Sequence, residues 1–221
     1  MYLEENNQVQ SAQVERTFLY RFLVGLYWLI AKVLYGVRIE GKENIPADVN
    51  CVMMGNHQTM FDPFLLAACV PDREIRFMGK KELWENKVLA WLFNKVHGFP
   101  VDRGNMDMNA VRTALNVLKE GKTLGIFPEG TRSKLGYMMP LLGGASLMAL
   151  RAGVVVVPVY IDGNFKPFTK MVVRVGKPIE TADLRAGRVN KEACDALTER
   201  MVAAFAQLSG GKSLPPAEKQ A

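Results

Sequence analysis

Residues 154–161 read VVVVPVYI, and residues 51–54 read CVMM. Neither run alternates apolar with polar side chains. A strand with one face in water would alternate, because successive side chains point to opposite faces of the sheet. Runs of this kind belong to strands covered on both sides, as the inner strands of a parallel sheet between helices are. Further short β-like runs lie at 37–40, 75–78, 99–102, 123–127 and 171–175, with helically spaced stretches at 63–69, 81–95, 109–120, 144–152 and 190–208. Strand and helix in alternation predict an α/β layered domain whose central sheet is mostly parallel or mixed and is flanked by helices.

The rest of the chain is compatible with one such domain over residues 37–208. With 221 residues, 49% of them hydrophobic, the chain can bury a core without covalent staples and is too apolar to stay disordered. Cys51, Cys69 and Cys194 form no CxxC pair and no Cys/His cluster, so reduced, mostly buried thiols in a cytoplasmic protein are expected rather than disulfides or a metal site. A net charge of +6 favours an anionic partner. No nucleic-acid module with interleaved aromatic and basic residues is recognisable. Gly211-Lys212-Ser213 echoes the end of a phosphate-binding loop, but Ala206 stands where its first glycine belongs and no strand precedes it. Residues 209–221 read as a disordered tail, and the polar residues 1–16 begin no signal peptide.

Residues 17–36, TFLYRFLVGLYWLIAKVLYG, hold an unbroken apolar run of only ten residues, at 22–31. As a helix that run covers about 15 Å, roughly half a bilayer core. Thr17, Arg21, Gly25, Trp28, Lys32 and Gly36 fall on one narrow face at helical spacing. A narrow basic stripe opposite a broad apolar surface suits an amphipathic helix lying in a membrane interface. A helix packed on the domain, or a single span with snorkelling Arg21 and Lys32, are the alternatives.

Three segments carry chemistry. Asn56-His57-Gln58-Thr59-Met60-Phe61-Asp62-Pro63 follows the CVMM strand and opens a helix, at the carboxyl end of a strand where ligands gather in open α/β sheets. Asp62 can fold back onto His57, fix its tautomer and raise its basicity. Asp62 serves equally well as a helix N-cap, with His57 a polar loop residue. In Gly98-Phe99-Pro100-Val101-Asp102-Arg103-Gly104-Asn105, the Arg103 guanidinium can take a phosphate at a strand end, or can simply pair with Asp102. In Phe127-Pro128-Glu129-Gly130-Thr131-Arg132-Ser133, Gly130 permits a close backbone approach, Thr131 and Arg132 offer donors, and Glu129 can lock the local network or hold Arg132. An ordinary turn with a surface ion pair is the other reading. None of Ser11, Ser133, Ser146, Ser209 and Ser213 makes a credible nucleophile, so a histidine base would act on a substrate hydroxyl.

NHQTMFD, GFPVDRGN, FPEGTRS and VVVVPVYIDG occur in this order. They resemble the four sequence blocks of the glycerolipid acyltransferases, the 1-acylglycerol-3-phosphate acyltransferase family, over residues 37–179. The resemblance implies acyl transfer from acyl-CoA or acyl-carrier protein to the hydroxyl of a lysophospholipid, usually lysophosphatidic acid, at the cytoplasmic face of a membrane, with no metal and no cofactor beyond the donor. It implies His57 as general base, Asp62 as its orienting partner, Arg103, Glu129, Gly130, Thr131 and Arg132 as the phosphate site, and Pro158 as a wall of the acyl groove. One departure is visible. Many members carry a basic residue after the third block, where Pro140-Leu141-Leu142-Gly143-Gly144-Ala145 is apolar here, leaving open another lysolipid acceptor, such as a lyso-ornithine lipid or lysophosphatidylglycerol. A non-catalytic lipid-phosphate-binding protein is the rival from another class.

Overall fold

A computed structural model describes residues 18–47, 49–70, 73–102, 107–163 and 165–213. The polar leader and Arg103 therefore lie outside the described residues. Helix α1 (Phe18–Tyr35) leads into strand β1 (Arg38–Glu40), followed by β2 (Cys51–Gly55), α2 (Asp62–Cys69), β3 (Ile75–Lys80), α3 (Lys87–Lys95), β4 (Phe99–Val101), α4 (Met108–Lys119), β5 (Thr123–Ile126), α5 (Gly143–Ala152), β6 (Val155–Asp162), β7 (Val172–Val175) and α6 (Lys191–Ser209). The strands form one sheet in the order β1-β7-β6-β2-β5-β3-β4. Every pairing is parallel except β6 with β7. The expected α/β fold with a mixed sheet is what the chain adopts.

The two runs without alternation occupy its centre, β2 pairing with β6 from Cys51↔Val155 to Gly55↔Val159. Their side chains feed two cores in turn. Val52, Met54, Val156 and Tyr160 join the cluster built with α4, α5 and α6. Cys51, Met53, Val157, Val159 and Ile161 join the cluster under α1 and α2. Pro158 sits inside this central strand without cost to the β2 ladder. Its carbonyl accepts from Gly176 N at 2.8 Å, so the missing N–H faces the side where the β7 ladder has ended. It is buried in the sheet and does not line the cavity described below, which corrects its expected place in a groove wall.

Three local expectations change. The single helix expected at 81–95 is a one-turn 3-10 segment, Lys81–Trp84, followed by α3 (Lys87–Lys95). The break falls at Asn86, whose side chain caps α3 by accepting from Val88 N and Leu89 N. The start of the supposed tail is packed: Ser213 is buried, its N–H donates to Ser209 Oγ at 3.0 Å, and its carbonyl accepts from Met138 N. Residues 214–221 lie outside the described residues. Helix α1 is docked on the domain. Ala31 is fully buried, Tyr20 Oη accepts from Ile75 N at 3.2 Å, and the carbonyls of Leu34 and Tyr35 accept from Phe168 N and Met171 N. Trp28, placed on the basic stripe by spacing, packs instead against the α1–α2 cluster.

Candidate active site

Strands β2 and β5 are neighbours, and their carboxyl ends deliver the first and third motif segments to the same place. Asn56 anchors the first. It is buried and spans to β6, accepting from Ile161 N at 2.6 Å and donating to Ile161 O at 3.1 Å. Gln58 Nε2 adds a bond to the same carbonyl at 3.0 Å. The loop then turns so that Asp62, first residue of α2 and 0% exposed, points back into it.

Asp62 accepts from four donors. Oδ2 lies 2.8 Å from His57 Nδ1, 2.6 Å from Gln58 N and 2.7 Å from Thr59 N. Oδ1 accepts from the Thr59 hydroxyl at 3.0 Å. None of these donors belongs to α2, so the N-cap reading fails: the carboxylate organises the loop rather than the helix end. With Asp62 acting only as acceptor, Nδ1 of His57 carries the hydrogen, and Nε2 is the nitrogen left to accept a proton. The imidazole stacks on Phe127 with ring centroids 4.2 Å apart.

Glu129 is the clasp between segments. Its Oε1 accepts from His57 N and its Oε2 from Met139 N, each at 2.7 Å. Only 4% of it is exposed. Loss of solvent pushes its carboxyl up to about 7, aided by nearby Asp62 and opposed by the two amide hydrogen bonds. The expected locking role is thus present, whereas an ion pair with Arg132 is not formed. Ser133 N donates to His57 O, and Leu142 N to Pro128 O, both at 2.8 Å, so segments 56–62, 127–133 and 139–142 interlock. Gly130 turns at φ +67, and a Cβ there would stand 2.6 Å from Leu142 Cδ1. Leu142, the apolar departure, therefore lies directly against the turn that presents Thr131 and Arg132.

These residues open on a cavity of about 810 Å³. His57, Phe127, Glu129, Thr131, Arg132 and Lys80 line it, together with Tyr20 and Val24 of α1, Phe64 of α2, Leu89 and Phe93 of α3, and Met148 of α5. Its volume is within the range of small-molecule sites, and its walls are largely aliphatic and aromatic. Val101 and Asp102, the residues just ahead of Arg103, also line it. Asp102 pairs with Lys81 at 2.5 Å. The serines near the site are committed elsewhere: Ser133 Oγ donates to Tyr137 O, and Ser146 Oγ shares a hydrogen bond with Thr198. No group of three or more His, Cys, Asp or Glu side chains gathers as a metal site among the described residues.

Some of the machinery escaped the sequence reading. The Asn56 tether, the Phe127 platform and the Met139 amide on Glu129 are long-range or backbone features. Gly125 was also missed: a Cβ there would meet Phe77 Cε1 at 2.2 Å, so the glycine lets Phe77 lie across β5 and stack beside Phe127. Its interruption of the apolar TLGIF run is the signal that points to a close approach.

A buried carboxylate holds one imidazole nitrogen, and the imidazole lines a largely apolar cavity, an arrangement suited to general-base chemistry beside an apolar substrate. Relatives give the class its name. The model of the family described as Acyltransferase matches residues 36–162. The 1-acyl-sn-glycerol-3-phosphate acyltransferase of Bacillus subtilis (strain 168) is 34% identical over 189 residues, 83% of this chain and 93% of that one. That of Streptococcus pneumoniae (strain ATCC BAA-255 / R6) is 29% identical over 214 residues, 92% of this chain and 77% of its own. The crystal structure of the 1-acyl-sn-glycerophosphate (LPA) acyltransferase PlsC from Thermotoga maritima superposes with a TM-score of 0.63 at 25% identity, covering 86% of this chain and 80% of that one. The chain belongs to the acyltransferase family and is an acyltransferase of phospholipid biosynthesis.

Proposed function

We propose that this acyltransferase moves a fatty acyl group from acyl-CoA or acyl-carrier protein to the sn-2 hydroxyl of lysophosphatidic acid, giving phosphatidic acid. The observation that carries this reading is the His57–Asp62 pair, whose imidazole lines one largely apolar cavity that Lys80, Thr131 and Arg132 also line. His57 Nε2 takes the proton of the acceptor hydroxyl as its oxygen attacks the thioester carbonyl. The C–O bond forms, the C–S bond breaks, and the proton passes from the imidazolium to the departing thiolate. Asp62 stabilises the imidazolium by charge and holds its ring in register. With the nearby serines committed to other partners, the acyl group passes directly to the acceptor. Arg132 and Thr131, with Arg103, bind the acceptor phosphate. Glu129 serves this site by positioning, since both its oxygens are engaged by backbone amides. The donor is a substrate, and no other cofactor is required.

The proposed place of work is the cytoplasmic face of a membrane, and helix α1 supports the membrane association. By length and composition it could span one. Its inner residues, however, form part of the domain core and of the cavity wall, and its outer face presents Phe18, Phe22, Leu29 and Val33 with Arg21 and Lys32 at the margin. A helix lying in the interface satisfies both sides, and its cavity-lining residues, Tyr20 and Val24, put the site next to the lipid.

Leu142 favours one second reading, the same chemistry on another lysolipid, because this apolar side chain lines the cavity against the Gly130 turn where the resemblance leads one to expect a cation. A panel of lysolipid acceptors with acyl-CoA and acyl-carrier-protein donors, scored by product mass, separates the two. Lysophosphatidic acid should give the fastest turnover. A faster reaction with a lyso-ornithine lipid or lysophosphatidylglycerol would replace it as the acceptor, and saturable phosphatidic acid binding without transfer to any acceptor would overturn the enzymatic reading.

A further inference from the structure

The segment 165–170 after β6 is built in a way that water does not explain. Phe168 adopts φ +64, a left-handed backbone that costs a bulky L-residue energy. It is one of two non-glycine residues with positive φ among the described residues, and the other, His97, is half-buried. The strained conformation is held from three sides: Phe168 N donates to Leu34 O at 2.6 Å, and the backbone and hydroxyl of Thr169 donate to Lys166 O at 3.2 and 2.6 Å. What this turn displays is an aromatic ring 88% exposed, with exposed Lys166 and Lys170 on either side.

The turn is also tied to α1 and to the 56–62 loop through half-buried rings. Phe165 packs edge-on against Tyr35 at 5.6 Å and lies 6.2 Å from Phe61 of the catalytic loop, whose ring stacks on Tyr27 of α1 at 6.0 Å. Met60 and Phe61 are themselves exposed beside His57. Three stretches distant in sequence thus share one aromatic seam: α1, the catalytic loop and the 165–170 turn.

We propose that the 165–170 turn is a second membrane anchor, in which Phe168 inserts among the acyl chains of an anionic bilayer while Lys166 and Lys170 pair with its headgroups. The inference rests on the interfacial reading of α1. The charge pattern selects the occupant, because flanking ammonium groups complement anionic headgroups at the depth where an aromatic tip enters the lipid. Together with α1 the turn holds the catalytic loop against the lipid, so that acceptor and product need not cross water.

Phe168→Gly is the decisive variant, since glycine relieves the strained backbone while removing the ring. The full-length protein and this variant are co-sedimented with phosphatidylglycerol/phosphatidylcholine vesicles and with pure phosphatidylcholine vesicles. Partitioning should fall on the order of 10-fold for Phe168→Gly, with a melting temperature no lower than the parent's and unchanged turnover in detergent micelles. Lys166→Glu/Lys170→Glu should fall at least as far on the anionic vesicles and little on the neutral ones. A parent that pellets while Phe168→Gly pellets equally well overturns the anchor, and so does a variant impaired only in its KM for acyl-carrier protein, which would make the turn a protein-docking site. A parent that fails to pellet with either vesicle removes the interfacial reading itself.

Discussion

Asp62→Asn isolates charge from geometry in the proposed catalytic pair. The asparagine oxygen, placed where Oδ2 now is, keeps the His57, Gln58 and Thr59 nitrogens as donors, and its amide nitrogen can donate to Thr59 Oγ1, reversing the bond now made at 3.0 Å. The loop therefore stays folded, and the melting temperature should move by no more than a few degrees. What disappears is the negative charge beside the imidazole that, in the proposed mechanism, becomes an imidazolium as the acceptor hydroxyl loses its proton. Hydrogen bonds to charged partners are worth about 1.5–3 kcal/mol, against about 1 kcal/mol for neutral ones. General-base help is worth about 10²–10⁴-fold in rate. The difference is at most about 2 kcal/mol, so turnover should fall several-fold and up to about 30-fold with little change in KM for either substrate, measured as initial rates of product formation in detergent micelles. Asp62→Ala should lose as much activity and also several degrees of stability, because the amides of Gln58 and Thr59 would lose their acceptor. An Asp62→Asn enzyme that keeps a third or more of parental turnover would show that the carboxylate acts only as a loop organiser.

Other perturbations follow from neighbouring contacts. Gly130→Ala must tolerate φ +67 and a Cβ 2.6 Å from Leu142 Cδ1, so thermal unfolding should show a loss of about 1–3 kcal/mol, accompanied by a raised KM for the acceptor. Glu129 carries a pKa raised to about 7 from an ordinary 4.5. Its protonated form is the better tolerated in the fold, so its contribution to stability is complete below about pH 4.5 and declines as pH rises through 7, by at most about 3 kcal/mol. Glu129→Gln does not titrate, so the parent-minus-variant difference in melting temperature should fall across that window. A flat difference would contradict the buried-carboxyl assignment. Leu142→Lys places a cation at the mouth and should lower KM for a phosphate-bearing acceptor several-fold, as steady-state kinetics can record. Leu29→Asp with Val33→Asp charges the outer face of α1 and should reduce vesicle pelleting without lowering the melting temperature. Deleting the helix would not be equivalent, because it would strip Ala31 and Tyr20 from the core.

The sheet was legible because two runs without alternation demanded cover on both faces, and β2 and β6 are indeed its neighbouring central strands. Asp62 illustrates the boundary of what spacing conveys. Its position ahead of Pro63 fits a helix cap and a histidine partner equally well, and only the three-dimensional path of the loop decides between them. Helix α1 was ambiguous for a related reason. Its apolar surface is wide enough to serve two neighbours, and the pattern does not say which side meets the domain. The helical spacing around Asn86 hid a break because a capping side chain interrupts the backbone without interrupting the apolar pattern. Glu129 could be assigned to a network from sequence, but its partners are the backbone amides of His57 and Met139, which no side-chain pattern encodes.

The decisive observation is the rate of acyl transfer to lysophosphatidic acid by His57→Ala beside the parent enzyme, both assayed with acyl-CoA and with acyl-carrier protein and scored by the mass of the product. With the proposed base removed, the variant should retain both substrates' binding and lose at least 10²-fold in turnover. Near-parental production of phosphatidic acid by His57→Ala would mean that the hydroxyl is activated by another group, and the mechanism set out above would be wrong.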